Sequence, residues 1–341
     1  MNTAKRFGLI AAVTAVAMLG LAGCDAPSAV APAAPGAKSE RPAPTNVAKA
    51  CTASDGSKIL IGFVDISEQI SFFTQMNTGA EEVAKLAGAD IQIVSGANDP
   101  ATQVTGVETL MARKAKAIII DPVNPDALVP VIAKAVAAGV PVVSVDGSMG
   151  PDSAISTQVG TSNGEGGADL GEALLEIAGN KGKIGVVGAL SSSIQLERQK
   201  GFIDAVTAGG MTIGTIVDGH NAIDQATNAA ENLLTSDPDL KYIYATGGPA
   251  LEGVIAAIKS QNAKDRVQVV GWDLSDASAE GLREGYVKAI IQQDSFGFGH
   301  ESAKAAIELA CGATDIPEVI SVPINIVTVK NLDQATYFLE K

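Results

Sequence analysis

The chain has 341 residues, of which 24 are Lys or Arg and 38 are Asp or Glu, so its formal charge is −14 at pH 7. This acidic balance, with no cluster of basic residues, argues against a protein that binds nucleic acid phosphates. The length suffices for two domains of ordinary size behind a leader.

The first feature along the chain is a leader that ends at Cys24. Lys5 and Arg6 precede a mostly apolar run that extends to Ala22. This run has the length of a signal peptide and is short for a membrane span. The LAGC tetrapeptide that ends at this cysteine resembles the lipobox of bacterial lipoproteins, which implies that residues 1–23 are removed and that the thiol carries a lipid such as palmitate. An ordinary secretory signal with an incidental cysteine is the alternative.

The segment after the leader, residues 24–54, is rich in Pro, Ala and Ser. It offers too little apolar surface to offset the entropy lost on ordering. We therefore predict a lipid-anchored flexible linker, which would hold the folded part at the periplasmic or extracytoplasmic face of a membrane. No later stretch of the sequence is apolar over a membrane-spanning length, so the lipid is the only membrane attachment that we expect.

A first series of alternating strands and helices follows the linker. KILIGFV at 58–64 is a continuous apolar run of strand length, and the segment 72–88 has apolar residues at helical spacing. DIQIVSG, KAIIID and PVVSVDG indicate further strands, with helices between them at about 100–115 and 125–138. Buried strands that alternate with helices of this length are typical of parallel sheets.

The same pattern begins again at residue 182. GKIGVVGAL, MTIGTIVDG, KYIYATGG and VQVVGWD indicate strands, with helices near 194–209, 224–235 and 249–261. Two series of this kind predict an α/β protein with two doubly wound parallel sheets, one in each of two lobes.

The residues at the ends of the predicted strands are candidates for ligand binding, because ligands of such sheets lie outside the carboxyl ends of the strands. These residues are Asp65, Asp121, Asp146, Asp218, Thr246, Gly247, Gly248, Trp272 and Asp273. Phe72 and Phe73 open the first helix beside the first of these ends. The alternative for each aspartate is a cap on a helix or a turn.

Around these residues the sequence resembles the periplasmic sugar-binding proteins of the ribose-binding type, which capture substrates for ABC importers. The resemblance rests on IGFVDISEQISFFTQMNTGAEEVAKLAG, AIIIDPVNPDALVPVIAKAVAAGVPVVSVD, VVGWD and IIQQD, which occur in family order. It implies a type I periplasmic binding protein fold, in which three crossings of the chain form a hinge between the lobes. The N-terminal lobe would be residues 55–161 plus 294–322, and the C-terminal lobe residues 162–293 plus 323–341.

The resemblance also implies roles for single residues. Phe72 and Phe73 match an aromatic pair that stacks on the apolar face of a sugar, although we expect one of them to pack in the core. Asp146 matches a carboxylate that accepts hydrogen bonds from sugar hydroxyls, and Trp272 with Asp273 matches the aromatic and acidic pair of the second lobe. The other candidates for the ligand site are Asp65, Gln69, Gln293, Asn163, Gln195, His220 and Gly248.

Departures from the family pattern bear on the ligand. Gly147 and Leu196 stand where these proteins usually carry arginines, and Gly247 with Gly248 replaces the usual Asn-Asp. Carboxylates without arginines favour a neutral polyhydroxylated ligand, such as a sugar or sugar alcohol, and an amine-bearing ligand second. A sugar acid or sugar phosphate should be refused.

The expected partner is an ABC permease that receives the ligand. The alternative is a lipoprotein that senses a furanose-like signal or an amine-bearing small molecule and presents it to a membrane receptor such as a chemoreceptor. The sequence does not separate these two partners.

Enzyme and repressor functions find little support. The sequence lacks a GxxxxGK[ST] phosphate loop and an HExxH motif, and its two histidines form no cluster with zinc spacing. Repressors of the same fold need a basic helix-turn-helix where this chain has its leader. We therefore predict a monomeric binding protein without catalytic residues, metal or cofactor.

Cys51 and Cys311 remain once Cys24 is acylated. An even pair in an oxidising compartment suggests a disulfide, and the family resemblance places Cys311 in the same lobe as the strand that follows Cys51. Because Cys51 lies in the predicted linker, two free thiols are the alternative.

Overall fold

Buried apolar runs alternate with amphipathic helices along this chain and build two sheets. A computed structural model of the chain describes residues 41–45, 47, 49–68 and 71–339. The predicted signal peptide, the lipidation site Cys24 and the candidate Gln69 lie outside these residues. Among the helices that the structure describes, none is long and apolar enough to cross a membrane.

The predicted elements form close to their expected bounds. The described strands are β1 (Leu60–Asp65), β2 (Asp90–Ser95), β3 (Ala117–Ile120), β4 (Val142–Val145), β5 (Thr157–Gly160), β6 (Lys183–Gly188), β7 (Thr212–Asp218), β8 (Tyr242–Ala245), β9 (Gln268–Trp272), β10 (Val287–Gln293), β11 (Val319–Ser321) and β12 (Ile324–Val327). The described α-helices are α1 (Ser71–Ala87), α2 (Pro100–Ala112), α3 (Pro125–Ala137), α4 (Asn163–Ala178), α5 (Ser193–Ala208), α6 (Ile223–Ser236), α7 (Gly248–Ser260), α8 (Asp276–Glu284) and α9 (Ser295–Ala310). Two 3-10 helices follow, η1 (Leu332–Gln334) and η2 (Thr336–Leu339).

Two sheets of six strands each confirm the predicted fold class. The first has the strand order β11-β5-β4-β3-β1-β2, and the second has the order β12-β10-β9-β8-β6-β7. The pairs within both sheets are parallel, except that β12 runs antiparallel to β10. The chain passes from one sheet to the other three times, after β5, after β10 and after β11.

Helices cover both faces of the first sheet, so its strands are apolar on both sides. Phe63 and Ile119 belong to the core under α1 and α9, whereas Val64 and Ile120 belong to the core under α2 and α3. Because both faces are filled by apolar side chains, the strand ends are the places where this sheet can present polar groups.

The last part of the predicted linker lies against the first lobe. The Ala50 N–H donates to the Ala87 carbonyl oxygen at 2.9 Å, at the end of α1. Cys51 forms a disulfide with Cys311 at the end of α9, with the two Cα atoms 5.6 Å apart. This end of the linker is therefore packed on the lobe.

Candidate functional site

Polar residues occupy neighbouring strand ends in both sheets. Asp65 ends β1, and Asp121 and Asp146 directly follow β3 and β4, which are adjacent in the first sheet. In the second sheet, Asp273 directly follows β9 and Gln293 ends the adjacent β10. Since neighbouring strands lie about 4.8 Å apart, each sheet holds its polar groups side by side at one edge.

Arg198 of α5 brings a positive charge to the edge of the second sheet. Its side chain is buried, and its Nε donates to Asn163 Oδ1 at 2.8 Å. Its Nη2 donates to Gln293 Oε1 at 2.9 Å, and its Nη1 lies 3.5 Å from the Thr246 carbonyl oxygen. The guanidinium carbon stands 3.9 Å from the centroid of the Trp272 ring, in a cation–π contact. These contacts fix the guanidinium at the strand ends.

Arg198 corrects the expectation that the site has no basic group. Leu196, which aligns with the missing arginine, is 41% exposed, but Arg198 two residues later is turned inward. A Cβ at Gly167 of α4 would collide with the Arg198 carbonyl oxygen, so glycine permits the close approach of α4 and α5. The Gly-rich segment 160–171 was the signal that could have pointed to this arginine. The premise for refusing a sugar acid is therefore wrong.

Asp273 belongs to the same network as Arg198. Its Oδ1 accepts a hydrogen bond from Gln293 Nε2 at 2.8 Å, and its Oδ2 accepts one from the Gly248 backbone N–H at 2.9 Å. A Cβ at Gly248 would lie only 3.3 Å from Asp273 Oδ2, so glycine there allows the backbone amide itself to reach the carboxylate. Gln293 also accepts from Thr161 Oγ1 at 3.3 Å and thus connects the network to the first crossing between the sheets.

Trp272 supports this network and does not offer an open surface to the cleft. The side chain is completely buried, and its Nε1 donates to the Tyr244 hydroxyl at 2.9 Å. Arg198 covers one face of the ring. The expectation that Trp272 contacts the ligand is corrected accordingly, because the protein's own guanidinium covers the ring.

The edge of the first sheet has more acceptors than donors. Asp65 and Asp121 are completely buried, and Asn77 Nδ2 donates to Asp65 Oδ2 at 2.6 Å. Gln103 Nε2 joins the two strand ends through the carbonyl oxygens of Asp65 at 3.0 Å and Asp121 at 2.6 Å. Within the described residues, Asp65 Oδ1, Asn77 Oδ1 and both carboxylate oxygens of Asp121 have no hydrogen-bond partner.

Asp121 and Asp146 at this edge have raised pKa values. Burial and the charge of Asp146 raise the pKa of Asp121 well above its usual range, and the Gly147 backbone N–H opposes this shift without reaching hydrogen-bond geometry. Burial raises the pKa of the half-buried Asp146 from 3.8 to about 6, an effect that Arg198 opposes and Asp273 strengthens. Asp146 therefore interacts with charges of the second sheet, and the two edges face each other.

The two phenylalanines at the start of α1 contact each other edge-to-face, with ring centroids 5.4 Å apart. Phe72 also packs edge-to-face on the completely buried Phe298, at 5.9 Å. Both rings are half-buried. Phe72 is thus the ring with an aromatic partner in the core, and Phe73 is the better candidate for stacking on a ligand.

Two other candidates, Gln195 and His220, differ in burial and in their contacts. Gln195 is buried, and its amide donates to Asn221 Oδ1 at 2.9 Å and accepts from Thr246 Oγ1 at 2.6 Å. His220 is exposed, and its backbone N–H and ring Nδ1 both contact the Asp218 carboxylate. The structure therefore places Gln195 beside the strand ends and His220 in an exposed loop.

A cavity of about 440 Å³ lies where the two edges meet. Its lining includes Asp146, Gln158, Thr161, Asn163, Ser193 and Glu197. A cavity of this size with several hydrogen-bonding side chains in its lining suits a small polar ligand. In the part of the chain that the structure describes, no group of three or more His, Cys, Asp or Glu residues could hold a metal ion.

Comparisons with known proteins agree with this architecture. The family model described as a periplasmic binding protein domain matches residues 61–314. The D-ribose/D-allose-binding protein of Pseudomonas aeruginosa is 28% identical over 270 residues, which are 75% of this chain and 85% of that protein. The D-apiose import binding protein of Paraburkholderia graminis is 27% identical over 282 residues, 82% of this chain and 90% of that protein.

Solved structures share the fold. The periplasmic ribose ABC transporter structure from Conexibacter woesei has a TM-score of 0.78 at 23% identity and covers 86% of this chain and 97% of its own. A solute-binding protein from Bacillus halodurans with bound myo-inositol has a TM-score of 0.73 at 24% identity. The match covers 84% of this chain and 100% of that protein.

Proposed function

This chain belongs to the family of periplasmic binding protein domains, and from that premise we propose that it captures a sugar or sugar alcohol between its lobes and delivers it to an ABC importer. The observation that carries the proposal is the network of Arg198, Gln293 and Asp273, which faces Asp146. The proposed role is binding and release, without a chemical step.

The chemistry of the two edges supports a polyhydroxylated ligand. Each sugar hydroxyl can donate one hydrogen bond and accept others. Arg198 supplies N–H donors, and Asp146 and Asp273 supply charged acceptors, which form the strongest hydrogen bonds in a site with little water. Phe73 could cover an apolar C–H face of the ring. Donors, acceptors and an aromatic ring are thus available in one cleft.

The relatives support the same class of ligand. Relatives of this chain are named for ribose, allose and apiose, and one structure of this fold contains myo-inositol. These are small neutral compounds with several hydroxyl groups. We therefore propose the class and leave the individual sugar to experiment.

We further propose that ligand capture closes the two lobes about the three crossings, with residues 55–161 plus 294–322 as one lobe and residues 162–293 plus 323–341 as the other. Thr161 and Gln293 lie at the first two crossings and share a hydrogen bond. A ligand that contacts Gln293 would therefore act directly on the hinge.

The leader supports a proposal on location: Cys24 carries a lipid that holds the protein at the extracytoplasmic face of the membrane. A Cys24→Ser protein should fail to incorporate radioactive palmitate and should move to the soluble fraction. Labelling equal to that of the wild type would rule out the anchor.

Titration calorimetry of the purified protein with D-ribose, D-allose, D-apiose and myo-inositol tests the proposed function. We expect saturable one-to-one binding of at least one of them. Arg198→Ala should weaken that binding about ten- to a hundredfold, because it removes charge-assisted hydrogen bonds. Lys200→Ala is the matched control, since this exposed residue of the same helix pairs only with Asp204 among the described residues. The proposal fails if no polyol binds, or if both variants bind like the wild type.

A further inference from the structure

The first lobe contains a buried group of acceptors, which we call the acceptor trio: Asp65, Asn77 and Asp121. Four of its side-chain oxygens have no hydrogen-bond partner among the described residues. The three residues are 0%, 9% and 0% exposed. Buried polar atoms without partners are rare because each costs free energy, so this many in one place calls for a group that supplies donors.

The register of the sheet brings the trio together. Val64 of β1 is paired with Ile120 of β3, so Asp65 and Asp121 come next on adjacent strands. By the alternation of a strand, their side chains point to the same face as Phe63, towards α1. Asn77 lies on α1 and gives its N–H to Asp65, which fixes the orientation of its amide and leaves its oxygen as a further acceptor.

The trio also lacks a positive charge. Within the described residues, no Lys or Arg side chain donates a hydrogen bond to any of its three members. Asp146 on the next strand adds a further carboxyl group. Arg198 gives its hydrogen bonds to groups of the second lobe. The first lobe thus presents acceptors and negative charge, and the missing donors have to come from elsewhere.

We infer that the acceptor trio selects a ligand that carries a protonated amino group, so that the captured compound is an amino sugar or an amino cyclitol. An ammonium group supplies three N–H donors and one positive charge, which match acceptors on three residues, whereas a hydroxyl group supplies one donor and no charge. Phe73 stands one helical turn before Asn77 on the same face of α1 and can line the same position. The inference rests on the proposed capture of a polyhydroxylated ligand in the cleft.

Two other ways to satisfy the trio are weaker. A metal ion finds only two carboxylates in the trio, and the described residues include no group of three or more His, Cys, Asp or Glu that could hold one. A proton on Asp121 would supply one donor for four unpartnered oxygens, which leaves most of them unsatisfied. Separation of the lobes, on which the proposed function depends, is the motion that would open the strand ends to a ligand.

Matched pairs of ligands test the inference on the full-length protein. Calorimetry compares D-glucose with D-glucosamine, D-ribose with 2-amino-2-deoxy-D-ribose, and scyllo-inositol with its monoamino derivative at pH 7. We expect at least one amino compound to bind ten- to a hundredfold more tightly than its neutral partner. Asp121→Asn should bring that ratio close to one, because it removes the carboxylate that the ammonium group would meet. Asp126→Asn, an exposed charge removal in the same lobe, should keep the wild-type ratio.

Thermal melting verifies that each variant folds, and Asn77→Ala provides a second route, since it removes one acceptor of the trio and should also lower the ratio. If neutral polyols bind and no amino partner binds more tightly, the inference is wrong while the proposed function stands. The same holds if the preference survives in both Asp121→Asn and Asn77→Ala. If no compound of either kind binds, the proposed function fails together with the inference.

Discussion

The edges of the two sheets face each other across one cleft, but they differ in how completely their polar groups are satisfied. At the second-lobe edge, Arg198, Gln293 and Asp273 hold one another through hydrogen bonds of 2.8–2.9 Å, with Trp272 beneath the guanidinium. At the first-lobe edge, the acceptor trio retains oxygens without partners among the described residues.

This difference separates two tasks of a binding site. A network that is already satisfied holds its groups in place, so little free energy is lost in ordering them when a ligand arrives. A set of unsatisfied acceptors costs free energy in the ligand-free protein and regains it when donors arrive. The second lobe would therefore orient the ligand, and the first lobe would determine which donors the ligand must bring.

The largest effect on stability is expected from a substitution that removes hydrogen bonds from the network at the second-lobe edge. Asp273→Ala removes the acceptor of both Gly248 N–H and Gln293 Nε2, and should lower the free energy of unfolding by about 3 kcal/mol. Urea unfolding of the ligand-free protein measures this loss, with the exposed Asp265→Ala as control. A free energy of unfolding equal to that of the wild type would show that the network is not preorganised.

The second prediction concerns Asp146, which lies between the two edges. Its pKa is raised from 3.8 to about 6 in the folded protein, so its contribution to stability is fully present below pH 4 and is lost as the pH rises through about 6. Compared with Asp146→Asn, the wild type should lose about 2 kcal/mol of unfolding free energy between pH 4 and pH 7, less than the full shift implies because the group is half-exposed. Parallel pH profiles of the two proteins would contradict this.

The third prediction is that a substitution at the first-lobe edge, where acceptors lack partners, raises the free energy of unfolding and does not lower it. Asp121→Asn should raise the unfolding free energy of the ligand-free protein at pH 7 by about 1–2 kcal/mol, because it removes a buried carboxylate whose oxygens have no described partner. Since burial raises the pKa of Asp121 above its ordinary value of 3.8, the gain should shrink as the pH falls and disappear below about pH 3.8, where the wild-type carboxyl group is protonated in both states. Destabilisation at pH 7 would show that Asp121 has partners in the ligand-free protein.

The fold and the strand-end residues could be predicted because they depend on local patterns. Continuous apolar runs such as β3 and helical spacing such as that of α1 are visible in the sequence, and the topology then places Asp121 and Asp146 at one edge. The segment 160–171 was harder, because β5 before it has only four residues and its glycines mark helix packing.

The direction of single side chains could not be predicted, because it depends on contacts between distant elements. The inward side chain of Arg198 is held by Asn163 and Gln293, which lie far from it in the sequence. Trp272 is buried because Arg198 and Tyr244 occupy its surroundings. The carboxylate oxygens of Asp121 likewise lack partners because no described residue of α1 or the neighbouring strands donates a hydrogen bond to them.

The smallest expected effect tests whether the hydrogen bond between Trp272 and Tyr244, which lies beneath the Arg198 guanidinium, contributes to ligand binding. Tyr244→Phe removes the acceptor of Trp272 Nε1 and keeps the stacked contact between residue 244 and Phe202, whose ring centroids are 3.8 Å apart. One lost neutral hydrogen bond should lower the free energy of unfolding by about 0.5–1 kcal/mol. Because Arg198 keeps its bonds to Asn163 and Gln293, affinity for the best polyol should fall less than about threefold. A loss of affinity as large as that of Arg198→Ala would mean that the tryptophan, and not the hydrogen bonds at the strand ends, sets the position of the guanidinium.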